Sequence, residues 1–181
     1  MSRDQHVRLN MPELLDCYTV LYIGANPKRF QLYGVLREVE ARVTVLEAHQ
    51  PNCEALREDL KHPVASIIRG DVRSDMLRGV DFFDAVIWWH GPEYVTAAEA
   101  ADLIRPGGDL EGVAARLILL GAPWGRCDQG AVGGNEFERH QSTWLPADFE
   151  AFGYRTATLG PAPQAARGTN QGHITAWRLL A

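Results

Sequence analysis

Between Thr19 and Glu47 the chain reads TVLYIGANPKRFQLYGVLREVEARVTVLE. A short apolar run, Thr19 to Ile23, breaks at Gly24, a helix-like segment follows, and a second apolar run, Val43 to Leu46, meets an acid at Glu47. Strand, turn, helix and strand in that order make a βαβ unit, because two parallel strands need a long crossover between them. That crossover is right-handed in nearly all cases. Ligands of open α/β sheets bind outside the carboxyl ends of the strands, where Gly24 and Glu47 fall.

The remaining chain extends the same pattern. Ahead of the first strand, Asn10 to Cys17 is expected to form a short helix, with Asn10 as its cap and Pro12 in its first turn. From Lys28 to Glu40, Leu32, Leu36 and Val39 share one stripe, and Gly34 in that helix suggests a close approach to a strand. A third helix is expected to open on Asn52, with Cys53, Leu56 and Leu60 on one side. Val64 to Ile68 reads as a third strand closed by Gly70 and Asp71, and DAVIWW, Asp84 to Trp89, as a fourth that is covered on both faces.

Pro92 to Ile104 is expected to be a helix with Val95, Ala98 and Asp102 marking its face, ended by Arg105-Pro106-Gly107-Gly108. Ala115 to Leu120 is the fifth strand, and GAPWGRCDQGAVGGNEFERHQSTW follows it without clear periodicity. Loops beyond about 12 to 15 residues in a compact domain are functional lids or disordered, and Trp124, Phe137 and Trp144 favour the lid. A short helix, Pro146 to Phe152, precedes two strands, Tyr154 to Leu159 and His173 to Leu179, joined by the turn-rich GPAPQAARGTNQG. The sum is an α/β fold: a Rossmann-like, doubly wound, seven-stranded mixed sheet with one antiparallel member and a C-terminal antiparallel hairpin.

Composition bounds the partners. At 181 residues the chain is expected to be a single domain, residues 1–181. A net charge of -5 argues against a broad electrostatic grip on nucleic acid or an anionic membrane. No secretory signal or membrane-spanning run is legible, so a cytoplasmic protein is expected. Cys17, Cys53 and Cys127 have no CxxC spacing and suggest neither a disulfide framework nor a cysteine zinc site. The sequence is silent on oligomeric state.

In order, the motifs resemble those of the class I S-adenosylmethionine-dependent methyltransferases. VLYIGA is similar to that family's first motif, Glu47 to the acid ending its second strand, and Gly70-Asp71 to the pair after its third. FDAVIWWHG is similar to the fourth-strand motif, LIRPGG to the Pro-Gly-Gly beyond the next helix, and LPADFEAFGYRT to the last helix and sixth strand. About 23 residues separate Gly24 from Glu47 and about 24 separate Glu47 from Asp71. The resemblance implies S-adenosylmethionine as cofactor, held by Gly24, Ala25, Asn26, Glu47, Ala48, Gly70, Asp71, Val72 and Trp88.

Physical reasons accompany that assignment. Gly24 has no Cβ to obstruct a ligand, Glu47 can accept from both ribose hydroxyls, and Asp71 can accept from an adenine amino group. No second or third glycine follows Gly24 through Phe30. A dinucleotide needs one where its pyrophosphate approaches, so a nicotinamide enzyme is disfavoured more than a methyl-donor enzyme. A non-catalytic binding or assembly module of the same fold stays open on the same ground.

Methyl transfer requires positioning and, for a hydroxyl acceptor, a base. His90 and His140 are the candidate catalytic residues, with Glu93 one turn beyond His90, and His173 a weaker candidate. The expected partner is a small-molecule acceptor, bound under the aromatic loop. No metal is expected, since Glu136, Glu138 and His140 fit no strong ligand spacing.

Overall fold

The computed structural model describes residues 1–27, 30–58, 64–161 and 172–180. Its strands are β1 (Thr19–Ile23), β2 (Arg42–Glu47), β3 (Val64–Arg69), β4 (Phe83–Trp89), β5 (Ala114–Pro123), β6 (Arg155–Leu159) and β7 (His173–Leu179). Its α-helices are α1 (Arg3–Asn10), α2 (Tyr33–Glu38), α3 (Gln50–Glu58), α4 (Ala97–Ile104) and α5 (Pro146–Glu150). The strands form one seven-stranded sheet in the order β3-β2-β1-β4-β5-β7-β6. Neighbours from β3 to β5 pair in parallel, and β7 runs antiparallel to both β5 and β6. The expected sheet, antiparallel member and terminal hairpin are all present. No helix among the described residues is long and apolar enough to cross a membrane.

Strand periodicity of two divides the core into two layers. Leu21, Ile23, Val86 and Trp88 face α4 and α5, packing with Leu103, Ile104 and Phe149. Val20, Tyr22, Ile87 and Trp89 face the other way, against Val7 and Met11 at the N-terminus and Val35 and Leu36 of α2. The neighbouring tryptophans of β4 therefore anchor opposite layers. Asp84 pins the start of β1 by accepting from the backbone amides of Tyr18 and Thr19 and from the Thr19 hydroxyl, each at 2.9 Å.

Several local expectations are corrected. The N-terminal helix lies at Arg3–Asn10, and Asn10 is its last residue; Pro12–Asp16 is only a 3₁₀ turn. Ser2 and Gln5 form a reciprocal capping box that starts α1. The helix expected over 28–40 is confined to Tyr33–Glu38, because Leu32 sits in the left-handed region at φ 59° and no helix continues back through it. Gly34 does face a close neighbour, but that neighbour is Asp4 of α1 rather than a strand: a Cβ there would meet Asp4 Oδ2 at 2.4 Å. Asn52 lies within α3, which begins at Gln50 because Pro51 is tolerated in a first turn.

The segment expected as one helix over 92–104 is two. A 3₁₀ turn at Pro92–Tyr94 yields to extended backbone at Val95, and a Thr96–Glu99 capping box starts α4 afresh. Its buried face is Ala100, Leu103 and Ile104, while Ala98 and Asp102 point to solvent. The last helix stops at Glu150 rather than Phe152. Lys28, Leu60 and most of the connection between β6 and β7 lie outside the described residues.

Candidate functional site

Three parallel strands release the chain at one end of the sheet. The Gly24 amide donates to the Leu46 carbonyl at 2.9 Å, Gly70 to Glu47 at 3.0 Å, and His90 to Gly121 at 2.8 Å, after which each segment leaves the sheet. Around these exits lies a cavity of about 610 Å³, within the range of roughly 300 to 1,000 Å³ typical of small-molecule sites. Gly24, Asn26, Glu47, Ala48, Gly70, Asp71, Val72 and Trp88 all line it, and so do His90 and His140. Ala25 does not: it is buried in the core layer beside Tyr22. Its methyl follows the turn at Gly24 inward, away from the cavity.

Gly24 has φ +77°, and no atom lies within 4 Å of where a Cβ would stand. The turn thus needs glycine, and the space over it is open. The bulky residue Phe30 stays out of that space, because its ring packs on Tyr22 with centroids 4.6 Å apart. Glu47, at the end of β2, is only 5% exposed. Burial raises its pKa to about 7, against hydrogen bonds from the His49 amide and the Asn52 side chain; Glu138 adds to the rise. Its Oε1 accepts from the His49 amide at 2.7 Å.

Asp71 is engaged already. Burial works against its charge, but the forked guanidinium of Arg73 outweighs burial and lowers its pKa. Arg73 donates from Nε and Nη2 to the carboxylate, at 3.0 and 2.6 Å, and from Nη1 to Glu99 at 3.3 Å.

The end of β4 holds His90, a candidate base. His90 has φ 50°, a left-handed conformation uncommon outside glycine, and its Nδ1 lies 3.0 Å from Glu93 Oε1. A carboxylate only accepts, so Nδ1 is the donor in this contact. Glu93 is 1% exposed, and its Oε2 has no hydrogen-bond partner among the described residues. Gly91 between them is required: a Cβ there would fall 1.9 Å from the Trp88 indole nitrogen. Behind His90, ring centroids 5.0 Å apart, His173 is buried with both ring nitrogens unpartnered among the described residues. Burial, then the neighbouring His90 and Arg3, hold it neutral, well below the usual histidine range.

The aromatic loop after β5 is fastened across this site. Trp124 and Trp144 bridge at its base, and the Gln141 amide donates to the Glu93 carbonyl at 2.7 Å. The Ser142 hydroxyl donates to the Pro92 carbonyl at 2.9 Å. His140 donates from Nδ1 to the Cys127 carbonyl, and its ring lies 5.1 Å from Tyr94. Asn26 donates to Glu138 Oε1 at 2.9 Å, joining the turn after β1 to the loop. Glu136 pairs with Arg139 instead of standing with Glu138 and His140, and among the described residues no group of three or more His, Cys, Asp or Glu could hold a metal.

Arg3, Tyr22 and Gln31 also line the cavity, on the side covered by α1, and sequence reasoning did not find them. The Ser2-x-x-Gln5 capping pattern was the available signal for that helix.

No protein-family model and no curated sequence matches the chain. Solved structures do. The N-terminal domain of EvdMO1, crystallised in the presence of SAH (S-adenosylhomocysteine) and D-fucose, superposes with a TM-score of 0.68 at 17% identity over 98% of this chain and 82% of that one. Magnesium protoporphyrin IX methyltransferase (ChlM) from Synechocystis PCC 6803, with bound SAH, gives a TM-score of 0.62 at 14% identity over 98% and 83%. This chain has the class I methyltransferase fold. An O-methyltransferase family protein from Burkholderia thailandensis shares the methyltransferase fold at a TM-score of 0.59 and 16% identity, over 97% of this chain and 57% of that one.

Proposed function

We propose that the protein is an S-adenosylmethionine-dependent methyltransferase acting on a small-molecule acceptor. The observation that carries this reading is the pairing, in one cavity, of the open Gly24 turn with the buried carboxyl of Glu47. An uncovered turn admits the methionine end of the cofactor, and Glu47 can accept from its two ribose hydroxyls. Val72, Trp88 and the backbone at Gly70 and Asp71 supply the walls for the adenine. Asp71 would hold the base through its remaining acceptor capacity while Arg73 keeps it ionised.

When bound, S-adenosylmethionine supplies a methyl group on a positively charged sulfur, which keeps the electron pair as the carbon–sulfur bond breaks. His90 then serves as the base: its Nε2 takes the acceptor's hydroxyl proton while Glu93 steadies the imidazolium. His140, tethered in the loop beside Tyr94, helps orient the acceptor.

Calorimetric titration with SAH tests the reading. The native protein is expected to release or absorb heat saturably and Glu47→Ala to bind at least about tenfold more weakly, as the loss of charge-assisted hydrogen bonds requires. No heat with the native protein would sink it.

A further inference from the structure

Three arginines line the cavity, and two of them are neutralised within the fold. Arg73 forks onto Asp71 and reaches Glu99, and Arg139 pairs with Glu136. Arg3 differs. Among the described residues its guanidinium makes one side-chain hydrogen bond, from Nη1 to the neutral amide oxygen of Gln31 at 2.8 Å. No carboxylate lies within ion-pairing distance of it among the described residues. Burial pulls its pKa below the usual arginine range, and the more distant Tyr22 and Glu93 only partly oppose that pull.

A partly buried guanidinium facing a cavity, with no hydrogen bond from its Nε or Nη2 to any of the described residues, suits a planar, doubly accepting anion. His90 lines the same cavity. Both residues face one cavity of about 610 Å³, a size that a single small molecule fills. Tyr22 and Trp89 provide an aromatic floor between α1 and the sheet. Resting on the methyl-transfer reading, we infer that the acceptor is a hydroxy acid with an aromatic or other flat body: its carboxylate is seated on Arg3 and its hydroxyl is presented to His90.

The test is a matched pair of fluorine-labelled fragments, 4-fluorobenzoate and its uncharged isostere 4-fluorobenzamide, titrated into the full chain and followed by fluorine NMR. The native protein is expected to bind the benzoate at least about tenfold more tightly than the benzamide, the discrimination that a charge-assisted fork supplies. Arg3→Gln is expected to bring the two affinities together, and Arg3→Lys, which keeps the charge, to retain a benzoate preference. Equal affinities in the native protein, binding of neither fragment, or a preference that survives Arg3→Gln would overturn the inference. SAH titrated into the same samples separates it from the reading on which it rests. Intact SAH binding without benzoate preference removes the hydroxy-acid acceptor alone. Intact preference without SAH binding removes the methyl donor and leaves the anion site standing.

Discussion

Glu47→Gln at the end of β2 alters how stability depends on pH, in a direction that burial dictates. The carboxyl is 5% exposed, and its pKa rises from an ordinary 4.5 to about 7 because burial outweighs the hydrogen bonds from His49 and Asn52. Between those two values the folded chain keeps a proton that the unfolded chain has released. Stability contributed by this group is therefore complete below about pH 4.5, falls as pH rises towards 7, and is flat above it. Integrated from pH 5 to pH 8, the loss is about 2.5 kcal/mol in the native protein and absent in the glutamine variant. For a chain of 181 residues that corresponds to roughly 5 to 10 °C in Tm.

Thermal or urea melts of both proteins at the two pH values measure it. Buried histidines such as His6 and His173 also titrate or fail to titrate in this window, but they are common to both proteins and cancel in the difference. The variant is expected to gain on the native protein as pH rises. Parallel stability curves across the window would refute the assignment of a raised pKa to Glu47. Added SAH should erase the gain if ribose hydroxyls donate to the charged carboxylate, because ligand then stabilises only the native protein.

Gly24→Ala is expected to cost about 1 to 2 kcal/mol in a urea melt through its left-handed backbone, with no steric clash, and to weaken SAH binding by more than it weakens folding. Gly121→Ala probes a tight contact instead: its Cβ would lie 2.6 Å from the Trp89 ring, so a loss of about 1 to 3 kcal/mol is expected, and an unchanged melt would disprove that packing. Glu93→Gln is expected to lower turnover of any accepted substrate by about 10² or more while leaving SAH affinity within a few-fold. Nitrogen-15 NMR of the His90 ring should show Nδ1 protonated in the native protein and lose that fixed tautomer in the variant.

The sheet was legible because a strand covered on both faces needs a nearly continuous apolar run, which AVIWW of β4 and LILL of β5 supply. Gly24 and Glu47 could be placed at a cavity mouth for a related reason: parallel βαβ units bring the ends of successive strands to one edge whatever the helices do. Helix limits were less legible. Local spacing joined Pro92 to Ile104, yet the extended backbone at Val95 and the cap at Thr96 divide the segment, and Leu32 delays the start of α2 through a backbone angle that no side-chain pattern records.

From the sequence alone come the alternation of strands and helices, the glycine turn and the acid one strand away; these depend on hydrophobic period and on the missing Cβ of Gly24. Tertiary structure alone buries His173 behind His90, latches Glu138 to Asn26 and lays α1 across the sheet so that Arg3 meets the cavity. The contacts of His173, Glu138 and Arg3 join residues far apart in the chain, and their energies come from burial and polar pairing that exist only after the layers have packed.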